Sequence, residues 1–237
     1  MSCPTFLEEQ LSSLTPYLAL GVFPFVVNLP PNPVWFWWEI KGGTAPMPSK
    51  IAERMERAGR YMLFLIDVSV AGLVLLLMHR HSVSIGQVGL HLENWKSHLL
   101  VGWGAGILWV ALQRALIHLL GGDKPSSVAD YYRRGASIFW LFSFLLGTFA
   151  EELWRAFCLF AFNKDGYGVG LSVILTATAF GAGHLRFRWA GAFGAAALGA
   201  ALALLYVWQG SLLTTYCAHL VANLGGLYYI RRALPRG

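Results

Sequence analysis

The chain has 237 residues, of which 56% are hydrophobic and 13% charged, with a mean hydropathy of +0.53 and a formal net charge of +6. Soluble domains carry about 25% charged residues, so the composition excludes an ordinary water-soluble domain and predicts an all-α, polytopic transmembrane helix bundle. The positive balance does not point to nucleic acid, because Lys and Arg gather in a subset of loops.

Apolar segments fall at 14–30, 60–78, 99–120, 136–162, 168–185, 189–208 and 211–230. Most approach the ~20 residues that cross a ~30 Å hydrocarbon layer as a helix, which predicts about seven spans (six to eight). The first thirteen residues are acidic and lack the apolar core of a cleavable signal, and the first segment is interrupted by Pro16 and Pro24. Residues 31–38, prolines followed by Trp35, Trp37 and Trp38, suit an interfacial turn with an aromatic belt. Between 39 and 60, Lys50, Glu53, Arg54, Glu56, Arg57 and Arg60 recur at helical spacing. They predict a solvated amphipathic helix leading into the second span.

Residues 121–135 form a polar connector that closes with Arg133 and Arg134. Three parts follow: N-terminal membrane helices and connector over 1–135, a core over 136–230, and a basic tail over 231–237. Within the core the connections shrink to 163–168, 185–189 and 209–210, which forces antiparallel neighbours and one compact bundle. The stretch 190–203 is nearly all Gly and Ala and reads as a packing helix. With seven spans, the loops 31–59, 121–135, 186–188 and 231–237 hold most of the eighteen Lys and Arg. The positive-inside rule then puts the C-terminus in the cytoplasm.

Outside the core, Asp67 and Arg114 are expected at similar depth in spans two and three. If those helices are antiparallel neighbours, the two form a structural ion pair, with Gln113 or His118 as extensions. Cys3, Cys158 and Cys217 make no framework and are assigned no role.

The polar residues inside the core are few. Glu151 and Glu152 precede Arg155, His184 follows Phe180 by four residues, and His219 precedes Asn223 by four. Ionisable groups in hydrocarbon cost several kcal/mol and persist mainly where they pair or do chemistry. A Glu151–Arg155 ion pair at i,i+4 would account for one carboxylate but not for two. A single membrane histidine such as His184 often only hydrogen-bonds a neighbouring helix. His219 and Asn223 share one helical face, as a polar stripe joining helices would. Two carboxylates, two imidazoles and an amide are nevertheless the parts of an acid/base hydrolytic site.

The ordered set Glu-Glu-x-x-Arg, Phe-x-x-x-His and His-x-x-x-Asn on three helices resembles the CAAX-processing and bacteriocin-processing intramembrane protease family, which includes the CAAX prenyl endopeptidase. The turn Gln209-Gly210-Ser211-Leu212 resembles that family too, and the resemblance covers roughly 145–226. It implies a glutamate-dependent intramembrane endopeptidase without a cofactor. Glu151 would be the base that activates water, and Glu152 its neighbouring motif carboxylate. His184 would help hold the water, His219 with Asn223 would stabilise the oxyanion, and Arg155 and Phe180 would support them. The family's first motif usually places three residues between the Glu pair and Arg, whereas here there are two. Either Glu can therefore take the role of base, with Glu151 favoured.

Other readings are zinc held by Glu151, His184 and His219, although no His-Glu-x-x-His spacing is present, and a non-catalytic immunity protein, scaffold or transporter. The expected partners are membrane lipids and a protein or peptide substrate, cut near its C-terminal tail for maturation or sorting. Composition and short loops suggest a prokaryotic inner membrane. No nucleic-acid partner is expected.

Overall fold

A computed structural model of the protein describes residues 49–119, 138–185 and 188–233. Among them the chain forms six helices and no strand: α1 (Ser49–Arg80), α2 (Trp95–Leu119), α3 (Ile138–Lys164), α4 (Gly168–Ala182), α5 (Arg188–Gln209) and α6 (Leu212–Ala233). The all-helical expectation holds. The amphipathic segment and the expected 60–78 span are one continuous helix, α1, from Ser49 onward. The expected first span at 14–30, the Trp-rich turn and the 121–135 connector lie outside the described residues.

The count of seven spans is not borne out. Two of the described helices, α2 and the Trp189–Gln209 part of α5, are long and apolar enough to cross a membrane. The expected 168–185 span is a helix of 15 residues, about 22 Å at 1.5 Å per residue and shorter than the hydrocarbon core. Helix α3 is long enough at 27 residues, but Glu151, Glu152 and Arg155 interrupt its apolar run. Helix α6 is interrupted by Thr214, Thr215, His219 and Asn223. The residues that make these two helices interesting also weaken them as membrane signals.

Helix α3 is the centre of the molecule. It packs against α1, α4, α5 and α6, while α2 lies chiefly on α6 and α4 on α5. Its segment from Ala150 to Phe162 supplies much of the core, with Leu153, Trp154, Phe157, Cys158 and Phe162 all buried. The opposite extreme is α2, whose Leu100, Trp103, Ile107, Leu108, Leu112 and Leu116 face outward. An apolar outer surface of this kind suits lipid rather than water.

Small residues bring the helices together. A Cβ at Gly102 would stand 2.5 Å from the Thr214 carbonyl oxygen, and one at Gly106 would stand 2.6 Å from the Val221 Cβ. Helices α2 and α6 are therefore in backbone contact along a glycine-lined face, the arrangement that favours association where lipid competes equally for apolar side chains. Helix α5 approaches α4 in the same way: a Cβ at Gly181 would meet the Ala192 carbonyl oxygen at 2.8 Å. The expected packing role of the Gly/Ala stretch is thus observed.

The start of α6 is fixed from outside the core. Gly210 has φ +60°, the left-handed region that favours glycine, and Ser211 Oγ accepts the Thr214 N–H at 3.4 Å as an N-cap. The Leu212 N–H donates to the Gly89 carbonyl at 2.9 Å, and a Cβ at Gly89 would lie 2.5 Å from the Gly210 oxygen. The α1–α2 loop therefore locks the turn that precedes His219.

The carboxylate of Asp67 lies against Gly147 of α3, and α1 and α2 find their main partners in α3 and α6.

Two neighbouring glycines separate packing from propensity. Gly102→Val should cost about 1–3 kcal/mol through overpacking. Gly104→Ala, with nothing within 4 Å, should be neutral or stabilising by up to about 1 kcal/mol. Thermal unfolding in detergent measures both, and equal losses would contradict the contact.

Candidate active site

On α3, Thr148, Glu151, Glu152 and Arg155 stand at helical spacings of three and four, so they project to one side of the helix. On α6, His219 and Asn223 do the same. The two helices meet rung against rung. Asn223 Nδ2 donates to Thr148 Oγ1 at 3.3 Å, and four residues further along α3 Glu152 Oε1 receives His219 Nδ1 at 2.7 Å. One step forward on α3 matches one step back on α6, as antiparallel helices require.

Glu152 and Arg155 are each 1% exposed and joined by an ion pair at i,i+3. Glu152 Oε1 thus takes both the Arg155 guanidinium and the His219 imidazole. A carboxylate only accepts, so His219 carries its proton on Nδ1 and, when neutral, presents the Nε2 lone pair elsewhere. That nitrogen lies 3.6 Å from Glu151 Oε2. Glu151 is 20% exposed. The pairing that i,i+4 spacing also allows, Glu151 with Arg155, is not the one joined here. Burial selects the partner, because Arg155 and Glu152 both point into the core while Glu151 stands at its edge.

Phe180 connects the remaining pieces. Its ring lies 4.5 Å from the Arg155 guanidinium carbon, 4.6 Å from the His184 ring centre and 5.7 Å from that of His219, edge to face. A guanidinium over an aromatic face is attracted by the ring quadrupole. Gly199 of α5 makes room for this ring, since a Cβ there would approach Phe180 Cδ1 at 3.1 Å. His184 is not on a helix as expected. It sits in the turn just past the end of α4, and its Nδ1 donates to the Phe180 carbonyl at 2.8 Å. Its Nε2 is then the acceptor of the neutral ring.

All seven residues singled out in the sequence therefore occupy one neighbourhood around α3, α6 and the end of α4. Thr148 and Gly199 were missed. Thr148 carried a usable signal, lying one helical turn before the Glu pair; Gly199 carried none, because its contact exists only after α4 and α5 pack. Among the described residues, no group of three His, Cys, Asp or Glu side chains is gathered closely enough to hold a metal ion. Glu151 and His219 are near one another, but with His184 they do not close into the set considered for zinc.

Residues 133–225 match the family model of type II CAAX prenyl endopeptidase, Rce1-like. The match bears out the resemblance read from the motifs and includes every residue of this site. The C-terminal half of the chain thus contains a segment similar to type II CAAX prenyl endopeptidases. Comparison with curated proteins gives no match, and comparison with solved structures gives none either.

The two glutamates should respond differently to substitution. Glu152→Ala strands a buried guanidinium and should cost about 3–5 kcal/mol. Glu151→Gln, at the edge of the core, should leave thermal stability nearly unchanged. Detergent-phase unfolding of the two variants checks the contrast.

Proposed function

We propose that the protein is a glutamate-dependent intramembrane endopeptidase in which Glu151 is the general base. The observation that carries the reading is the unequal environment of the two carboxylates. Glu152 is consumed by Arg155 and His219, whereas Glu151 faces the free Nε2 of His219 and keeps access to the outside of the core.

In this mechanism a water held between the helices gives one hydrogen to Glu151 and the other to a histidine Nε2, that of His219 or of His184. Glu151 takes one proton as the water oxygen attacks the carbonyl carbon of the scissile amide. Asn223 keeps one N–H after its bond to Thr148, and this N–H donates to the oxyanion. Collapse of the tetrahedral intermediate breaks the C–N bond. The leaving nitrogen receives the proton from Glu151, so carboxylate and amine products balance the water consumed. Glu152 holds His219 in one tautomer, a role that orients the imidazole without titrating in the cycle.

The similarity to type II CAAX prenyl endopeptidases points to a peptide bond near a prenylated C-terminal tail as the substrate class. A maturation or sorting tail of a prokaryotic membrane-associated protein fits the same chemistry and is the biological setting we favour. The reaction needs no metal, since the base, its aligned histidines and the oxyanion donor suffice.

The test uses full-length protein in detergent and an internally quenched peptide with a farnesylated CAAX-type tail. Glu151→Gln should lower kcat by at least about 10²–10⁴-fold, the range of general base catalysis. Asn223→Ala should lower it by about 10²–10³-fold. Wild-type activity should survive strong chelators. Full activity of Glu151→Gln would refute the assignment.

A further inference from the structure

Thr148 has no place in the motifs, yet it is the only described partner that the hydrogen bonds give to the Asn223 amide. It is buried at 3% exposure, and it is committed twice. Its own hydroxyl proton goes to the Phe144 carbonyl at 2.9 Å, one turn back on α3. A hydroxyl has one proton and two lone pairs. Once the proton is spent on Phe144, Thr148 Oγ1 can only accept from across the helix interface.

This decides how Asn223 is turned. An Asn amide can present either its oxygen or its nitrogen to a neighbour, and the two orientations differ by a half-turn about the last torsion. An acceptor-only Thr148 admits the nitrogen and rejects the oxygen. The second hydrogen on Nδ2 then remains for another acceptor. With the opposite orientation, Asn223 would present its carbonyl oxygen to Thr148 and lose this bond.

We infer that Thr148 is a positioning residue of the reaction: by accepting from Nδ2, it holds the Asn223 amide as a hydrogen-bond donor for the oxyanion. The inference rests on the peptidase reading above and extends it to a residue that acts through Asn223. A merely structural Thr148 would tie α3 to α6 through the same bond but would influence stability alone.

The experiment compares Thr148→Val, Thr148→Ser, Asn223→Ala, the double variant Thr148→Val/Asn223→Ala and Glu151→Gln on the farnesylated peptide. Thr148→Val keeps the shape and removes the acceptor, so kcat should fall by about 10-fold or more, toward the 10²–10³-fold loss of an oxyanion donor, with KM unchanged. Thr148→Ser should restore most of kcat. The double variant should be no slower than Asn223→Ala, because two residues acting through one interaction are not additive. Wild-type kcat in Thr148→Val, with Glu151→Gln inactive, overturns the inference and leaves the peptidase reading intact. Additive losses in the double variant also overturn it. Activity in Glu151→Gln overturns the reading beneath both.

A second measurement is independent of turnover. Protein labelled with 15N only at Asn, with Asn223→Ala supplying the assignment, should show the Asn223 side-chain amide signal displaced in Thr148→Val and retained in Thr148→Ser. An unmoved signal in Thr148→Val overturns the inference even where no peptide is cleaved.

Discussion

The structure turns on a buried charge cluster: Glu152 between Arg155 and His219, in the middle of an otherwise apolar helix. An isolated carboxylate or guanidinium at that depth would be prohibitively desolvated. The cluster is tolerable because the guanidinium neutralises the carboxylate, Phe180 presents its ring to the guanidinium, and the imidazole adds a charge-assisted bond. One consequence is mechanical. Breaking the cluster strands charge in the core, so α3 and α6 are held at one distance and in one register.

The rest of the bundle serves that register. Helix α6 cannot slide, because its first turn is capped by Ser211 and bonded to Gly89, and its outer face is pressed onto Gly102 and Gly106 of α2. On the other side Gly199 lets α5 sit close enough to hold Phe180 in place. Helices α2 and α5 thus restrict where the side chains of the site can go. Small residues have this effect in membranes, where close packing replaces the hydrophobic force.

The same cluster explains why adjacent carboxylates differ in their surroundings. One face of α3 points inward and one lies at the edge, about 100° apart for consecutive residues. Identical side chains thereby meet different surroundings. The inner one is fixed in an ion pair, and the outer one is left with the free nitrogen of His219. Consecutive position on a helix is enough to give two glutamates different environments.

Much of this was legible in the sequence. The helical class followed from composition, and Glu151, Glu152, Arg155, Phe180, His184, His219 and Asn223 stood out as polar or paired positions in apolar runs. Their order carried the family resemblance. The number of spans was less legible, because a short helix such as α4 and polar-rich helices such as α3 and α6 blur the hydropathy signal. Spacing alone could not place Arg155: i,i+4 allows Glu151 and i,i+3 allows Glu152, and only burial, a property of the packed bundle, hands it to Glu152. The tautomer of His219 and the donor role of Thr148 toward Phe144 were likewise decided by tertiary structure. A sequence states which groups exist and how far apart they lie along one helix; which atom faces which across two helices depends on the register those helices adopt.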